Sequence, residues 1–267
     1  LDHTVINSNG TMSDATRTVI EQAIAEGLEI VPVSGRAFAT FPESIGQIKG
    51  ISYAVTSNGA AIYNKKTGER IHGVAIEYVD LHSILDAFAH YFHNGQITYE
   101  AFVDGVAYGG REYVEHPEAF GVPERNVAYV QSTRKPVDDI IAFLSEHEEE
   151  LDSLDIVAAD TALYQKIEEQ IPLVTKSVYT TSAVSYRLEI SHKNSGKATG
   201  LAYVLKLLDI TPEETVAFGD GDNDAEMLEF AGLGVAMENA TENCKAAADI
   251  VCDCCKNDGV ARFLYGF

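Results

Sequence analysis

Gly219-Asp220-Gly221-Asp222-Asn223-Asp224 is a glycine-punctuated acidic loop, and its flanks decide the fold. Before it runs the apolar, β-type segment Thr215-Val216-Ala217-Phe218; after it runs a helical segment, Ala225 to Phe230. Oxygen-bearing side chains crowded on one strand-to-helix turn repel each other unless a cation sits among them. Oxygen-only ligands favour Mg²⁺ or Ca²⁺ over zinc or copper. The competing reading is a solvated acidic loop with no role.

Outward from this loop the chain alternates strands with helices. Upstream, Lys197 opens a helix through Leu208; downstream, Leu233 to Met237 is strand-like, Thr241 caps a helix to Ala248, and Asp249 to Cys252 is a last strand. Near the start, Leu1 to Gly10 reads as a loop. Ser13 then caps a helix with Val19, Ile20, Ala23 and Ile24 on its apolar face and Gly27 as its stop. Leu28 to Val33 is a continuous apolar run, as expected of a buried parallel strand, and Ser34-Gly35-Arg36 should open a helix. Ile51 to Thr56 is a strand leading to Ser57-Asn58-Gly59-Ala60 and a hairpin around Lys65-Lys66-Thr67-Gly68. This pattern predicts a parallel α/β sheet.

The middle of the chain reads as an α+β module inserted into that core. It holds a helix over 79–94, a hairpin of 96–102 and 106–109 around Asp104-Gly105, and a charged, proline-containing loop over 111–125. A strand (127–131), a helix (137–147), a strand (154–159), a helix (161–170) and two further strands to Ile190 follow. The acidic run 146–152 reads as a solvated helix end. The division is a discontinuous core, 1–78 plus 188–267, and an inserted cap, 79–187.

The 267 residues carry a formal net charge of −22. That argues against nucleic acid and anionic membrane as partners, both of which call for a basic patch. An anionic substrate would have to be held by local cations. No segment approaches the roughly 18 to 20 apolar residues needed to span a bilayer. Cys244, Cys252, Cys254 and Cys255 cluster near the C-terminus, lack the second ligand pair of a zinc site, and suit a reduced cytoplasmic setting.

Ligands of an open parallel sheet bind at the carboxyl ends of its strands. Four polar elements fall at such ends: Asp2-His3-Thr4, Ser34-Gly35-Arg36, the Ser57-Asn58-Gly59 turn and the acidic loop, with Lys197 close behind a strand. Carboxylates for Mg²⁺, a hydroxyl, a lysine and backbone N–H groups are the equipment of phosphoryl transfer.

These motifs, in this order, resemble a haloacid dehalogenase (HAD) superfamily phosphatase of the Cof-type group with a class IIB cap. Leu1-Asp2-His3-Thr4 is similar to the tail of the first motif, Asp-x-Asp-x-Thr; Val33-Ser34-Gly35-Arg36 to the second, Lys197 to the third, and the acidic loop to the fourth. Val235-Ala236-Met237-Glu238-Asn239-Ala240 and Asn257-Asp258-Gly259-Val260 are also typical of that group. The resemblance implies a Rossmann-like core, an inserted α+β cap that closes over the core and selects substrate, and an aspartyl-phosphate intermediate. Asp2 would be general acid and base, with its carbonyl on Mg²⁺. Ser34, Gly35, Lys197 and Asn223 would hold the phosphoryl group. Asp220 and Asp224 would both serve the Mg²⁺ site, Asp220 as a direct ligand and Asp224 directly, through water or through Lys197. Asp222 falls at a variable, solvent-facing position.

The family nucleophile falls by register immediately before Leu1, at the end of an apolar strand, so a further short N-terminal strand ending in Asp is expected. An intact mass above 29.0 kDa would agree with it. His3 stands where the family commonly has glycine. The implied activity is Mg²⁺-dependent hydrolysis of a small phosphorylated metabolite such as a sugar phosphate. The alternatives are a phosphomutase of the same superfamily and, if the chain starts at Leu1, a non-enzymatic phosphometabolite-binding protein. Tyr99, Arg111, Tyr113 and Arg187 are cap candidates for touching the leaving group. The oligomeric state is not legible.

Overall fold

The computed structural model describes residues 1–7 and 10–265, so Ser8 and Asn9 of the expected opening loop lie outside the described residues. The chain is mixed α/β and divides into two compact units: Leu1–Arg36 with Phe41–His72 and Gly196–Phe267, and Ala37–Thr40 with Gly73–Ser195.

In the first unit the strands Val216–Gly219, Leu233–Met237 and Ile250–Cys252 run parallel in that order. The acidic loop leaves the carboxyl end of the first of them. The helix Lys197–Leu208 buries Gly200, Leu201, Val204 and Leu205, a three-to-four-residue spacing that lays one face on the core. The first helix, Asp14–Ala25, begins where Ser13 Oγ accepts the Thr16 N–H at 3.0 Å, and buries Thr16, Val19, Ile20 and Ala23. Tyr53–Thr56 pairs antiparallel with Ala61–Asn64, and Arg70–Gly73 extends that ribbon.

Two expectations fail in this unit. Leu28 to Val33 forms no strand; only Val33 bridges Val55, in parallel, with Ser34 N–H donating to Val55 O and Val55 N–H to Pro32 O. The other side of the segment faces a cavity of about 470 Å³, bounded by Val31, Val33, Ala217, Phe218 and Leu205 and reaching Leu1. A single bridge, at Val33, is too short a ladder for the segment to count as a strand. Arg36 opens no long helix either: a single turn at Phe38–Thr40 and the short helix Glu43–Gly46 follow, interrupted by Pro42.

The second unit holds a six-stranded sheet. Its order is Arg134–Val137, Val106–Gly110, Ile97–Val103, Leu151–Ala158, Arg187–His192, Val178–Val184. Asp104 and Gly105 sit at φ 46° and 73°, the left-handed pair a two-residue hairpin requires. Strand alternation gives the sheet two unlike faces. Ile97, Tyr99, Ala101, Leu154, Ile156, Leu188 and Ile190 pack with Leu81, Ile84 and Phe88 of the helix Tyr78–His93, and with Leu144 and Ile167. The opposite face carries Glu100, Asp155, Arg187 and Glu189.

Several boundaries shift. The predicted strand 127–131 is the middle of a helix, Glu124–Thr133, and the strand comes after it, at Arg134–Val137. Val127 and Tyr129 mimic strand alternation. Val127 and Val130 instead share a helix face, packed with Val122 and Tyr186. The predicted loop 111–125 contains the helix Arg111–Glu115 and the turn Pro117–Phe120. Leu151 and Asp152, read as part of a solvated end, begin the central strand Leu151–Ala158, with Asp152 fully buried. Residues 188–195, assigned to the core by sequence, lie in the second unit, because Arg187–His192 pairs antiparallel with Leu154–Val157.

Candidate active site

The first loop curls around one oxygen: Leu1 O accepts the N–H groups of Thr4, Val5 and Ile6 at 3.3, 3.1 and 3.0 Å. His3 sits at φ 56° in this curl, where glycine would be unstrained. Thr4 thereby points its hydroxyl into the acidic loop. Its Oγ1 donates to Asp220 Oδ1 at 2.7 Å and lies 3.4 Å from Asp2 O. The Asp2 carbonyl and the Asp220 carboxylate are therefore close neighbours.

Asp224 organises the acidic loop. Its Oδ2 accepts the N–H groups of Asp220 at 2.9 Å and Gly221 at 3.0 Å, and its Oδ1 meets Lys197 Nζ at 2.6 Å. Asp224 and Lys197 are both buried, with side-chain exposures of 5% and 6%. Burial alone would raise the Asp224 carboxyl, but the Lys197 charge and the loop hydrogen bonds hold it below its usual value. Asp220 goes the other way. Burial pushes it up and the nearby Asp224 charge adds to this, against the hydrogen bond from Thr4.

Lys197 is placed by close backbone approach. A Cβ on Gly59 would lie 2.0 Å from Gly196 O, and one on Gly200 would lie 2.5 Å from Val55 Cγ1. Only glycines let the start of this helix settle against the 57–59 turn. Lys197 Nζ also donates to Asn223 Oδ1 at 3.0 Å, and Asn223 Nδ2 donates to Asn58 Oδ1 at 3.1 Å. Asn58 N–H reaches Ser34 O at 3.1 Å, while Ser34 Oγ accepts the Arg36 N–H at 3.2 Å. A continuous chain of hydrogen bonds thus links Ser34 to Lys197.

Asp2 is held by Arg36 through both carboxylate oxygens. Asp222 is exposed and accepts from Thr241 Oγ1 at 2.5 Å. Among the described residues no three His, Cys, Asp or Glu side chains group into a metal cage. The oxygens that share the Thr4 hydroxyl, Asp2 O and Asp220 Oδ1, are of the kind that suits Mg²⁺. That ion keeps several waters and takes only one or two carboxylates.

The sequence motifs led to Asp2, Ser34, Gly35, Lys197, Asp220, Asn223 and Asp224, and all lie in this one unit, Lys197 at the start of a helix and the others on the segments that follow its strands. Arg36, Thr4 and Asn58 were quoted in those motifs without a role, and each proves to orient a neighbour. The four cap candidates are committed elsewhere. Tyr99 is fully buried. Tyr113 is buried and donates to Glu100 at 2.5 Å. Arg187 is spent on Glu100, Asp155 and Glu189, and Arg111 on Asp138 and Glu115.

Comparison with known proteins agrees with this geometry. The haloacid dehalogenase-like hydrolase family matches residues 1–264. Phosphatase YwpJ of Bacillus subtilis is 30% identical, over 99% of this chain and 96% of its own length. A putative phosphatase of Haemophilus influenzae is 30% identical over 98% of this chain and 93% of its own. A solved haloacid dehalogenase-like hydrolase of Bacillus subtilis matches with a TM-score of 0.82 at 26% identity, over 100% of this chain and 98% of that one.

Proposed function

The chain belongs to the haloacid dehalogenase-like hydrolases, and from that membership we propose that it is a Mg²⁺-dependent phosphatase of a small phosphorylated metabolite, such as a sugar phosphate. It is a phosphoric monoester hydrolase of the Cof-type group. The carrying observation is the buried Lys197 ammonium, 2.6 Å from Asp224 and 3.0 Å from Asn223, beside Asp220. In a chain of net charge −22, this is the cation a phosphoryl group would meet.

By the register of the family's first motif, the nucleophile would be an aspartate in the position before Leu1. Its carboxylate oxygen bonds to phosphorus as the ester P–O bond breaks. The departing alkoxide takes the proton of Asp2. Asp2, now a carboxylate, removes a proton from water, whose oxygen displaces the aspartyl oxygen and releases phosphate. Ser34 Oγ, the Gly35 N–H, Lys197 Nζ and Asn223 Nδ2 hold the phosphoryl oxygens through both steps. The Asp2 carbonyl and Asp220 would hold Mg²⁺, with Asp224 acting through Lys197 and the loop it braces. Bound there, the ion would offset charge on the phosphoryl oxygens.

No helix among the described residues is long and apolar enough to cross a membrane. The four cysteines are free thiols, which supports a cytoplasmic setting.

Hydrolysis of p-nitrophenyl phosphate by the full natural chain tests the reading. Turnover with Mg²⁺, abolished by excess EDTA and by Asp220→Ala, is expected. Turnover that survives EDTA would overturn the metal-dependent reading, and none at all would overturn the phosphatase.

A further inference from the structure

Asn223 can contact phosphate through its amide nitrogen only if that nitrogen faces the phosphoryl group, and a side-chain amide can turn end for end. Lys197 fixes one end. Its ammonium carries donors alone, so the atom 3.0 Å from Nζ is Asn223 Oδ1. Nδ2 therefore points away from the lysine and meets Asn58 Oδ1 at 3.1 Å. Asn58 must in turn offer oxygen there. The order Lys197, Asn223, Asn58 leaves neither amide a choice of orientation.

Asn58 is itself firmly placed. It is 2% exposed. Ser57, Asn58 and Gly59 have successive φ values of 48°, 51° and 90°. Three left-handed residues in a row are seldom adopted, and asparagine is among the few side chains that tolerate the region. Ser57 N–H donates to Arg36 O at 3.0 Å and Asn58 N–H to Ser34 O at 3.1 Å, stitching the turn to the Ser34-Gly35-Arg36 loop. Gly35 forms the wall behind the amide: a Cβ there would lie 3.0 Å from Asn58 Oδ1 and 3.1 Å from Nδ2. A side chain at 35 would press on the Asn58 amide and ask it to shift by a few tenths of an ångström.

We propose that Asn58 is a positioning residue for phosphoryl transfer: its Oδ1 takes one of the two Asn223 Nδ2 protons and aims the other, beside the Lys197 ammonium, at a phosphoryl oxygen. This rests on the phosphatase reading. Asn58 acts through Asn223 and joins two motifs otherwise far apart in sequence. It also accounts for a buried, strained asparagine that the chemistry does not otherwise use.

Asn58→Gly separates this role from the backbone's, since glycine keeps the left-handed conformation without strain and removes only the amide. With p-nitrophenyl phosphate and Mg²⁺, kcat should fall roughly 10- to 100-fold, the scale of a misplaced reacting group. KM and Tm should change little. A kcat equal to the wild type's would overturn the proposal, and so would a loss of kcat that merely follows a lost Tm. A second readout does not need turnover. The Asn223 side-chain amide, assigned by its loss in Asn223→Asp, should give a well-dispersed ¹⁵N–¹H pair in the wild type. That pair should collapse toward random-coil shifts in Asn58→Gly and return in Asn58→Asp, which keeps the acceptor. An unchanged pair in Asn58→Gly would overturn the proposal. Should the wild type itself fail to turn over, the phosphatase reading falls and the amide spectrum alone decides whether Asn58 orients Asn223.

Discussion

Arg36 grips Asp2 by both carboxylate oxygens, with Nε 2.8 Å from Oδ2 and Nη2 2.7 Å from Oδ1. Burial pushes the Asp2 carboxyl up, but the Arg36 hydrogen bonds and charge more than reverse this and leave it below its usual value. A general acid works only while protonated, so its activity falls as pH rises through its pKa. Lysine at 36 keeps a charge but loses the two-pronged fork. Arg36→Lys should therefore raise the Asp2 pKa and extend turnover of an alkyl phosphate to higher pH. A pH–kcat profile that does not move in a folded Arg36→Lys protein would remove Asp2 from the acid role. Stability follows the depressed-carboxyl sign. The pair stabilises above about pH 4, the ordinary unfolded value, and the contribution fades as pH falls through the lower folded one.

Asp220 has the opposite electrostatics. Burial and the Asp224 charge raise its carboxyl, so the ionised form is uncomfortable until a cation arrives. Asp220→Asn removes that discomfort along with the ligand. Without metal, the variant should melt at or above the wild-type Tm. Mg²⁺ at about 100 times its Kd should stabilise the wild type by about 2.7 kcal/mol and leave Asp220→Asn almost unmoved. Thermal melts with and without Mg²⁺ check this; an equal Mg²⁺ shift in both proteins would place the ion elsewhere.

The core was legible wherever residue type and spacing act locally. Glycines and carboxylates announced the acidic loop, and Ser13 announced its helix by a bond to Thr16 three residues on. The Asp104-Gly105 hairpin followed from two left-handed φ values that few residues accept. What was not legible depends on partners far along the chain. Whether Leu28 to Val33 counts as a strand depends on how far it pairs with a segment elsewhere in the chain, and it pairs only at Val33 with Val55, which its own letters do not reveal. Val127 to Gln131 alternates like a strand but is settled as a helix by Val130 packing among Val122 and Tyr186. The site divides similarly. Motif letters led to Lys197 and Asp224, whereas Asn58 gained a role only when a turn came within 3.1 Å of a residue 165 positions away.

Lys197 and Asp224 are a buried pair, and removing one partner leaves the other charge unpaired. Lys197→Met should cost about 3–5 kcal/mol of stability. Turnover should fall at least about 100-fold, the scale of removing one charge-stabilising donor. Adding Asp224→Asn should recover much of the Tm and none of the turnover, because the stability loss comes from the orphaned carboxylate and the activity loss from the missing ammonium. Denaturant melts and kcat on the single and double variants separate the two effects. Recovery of turnover in the double variant would deny Lys197 its phosphoryl contact.

The second unit offers a prediction unrelated to turnover. Asp155 is buried, 3.3 Å from Arg187 Nε, in a group that also holds Glu100, Glu189 and Arg134. Burial pushes its carboxyl well above the usual range, and the Glu189 and Glu100 charges add to this against Arg187 and Arg134. The folded protein then keeps a proton that the unfolded chain sheds near pH 4. Stability falls as pH rises from there toward the folded pKa, by up to about 1.4 kcal/mol per pH unit. Asp155→Asn preserves the shape and carries no such proton. Its Tm relative to the wild type should therefore rise between pH 5 and pH 8, by about 2–4 °C for each kcal/mol recovered. Melting curves at the two pH values decide it. A Tm difference that is the same at both would mean Asp155 is already ionised in the folded protein, held by Arg187.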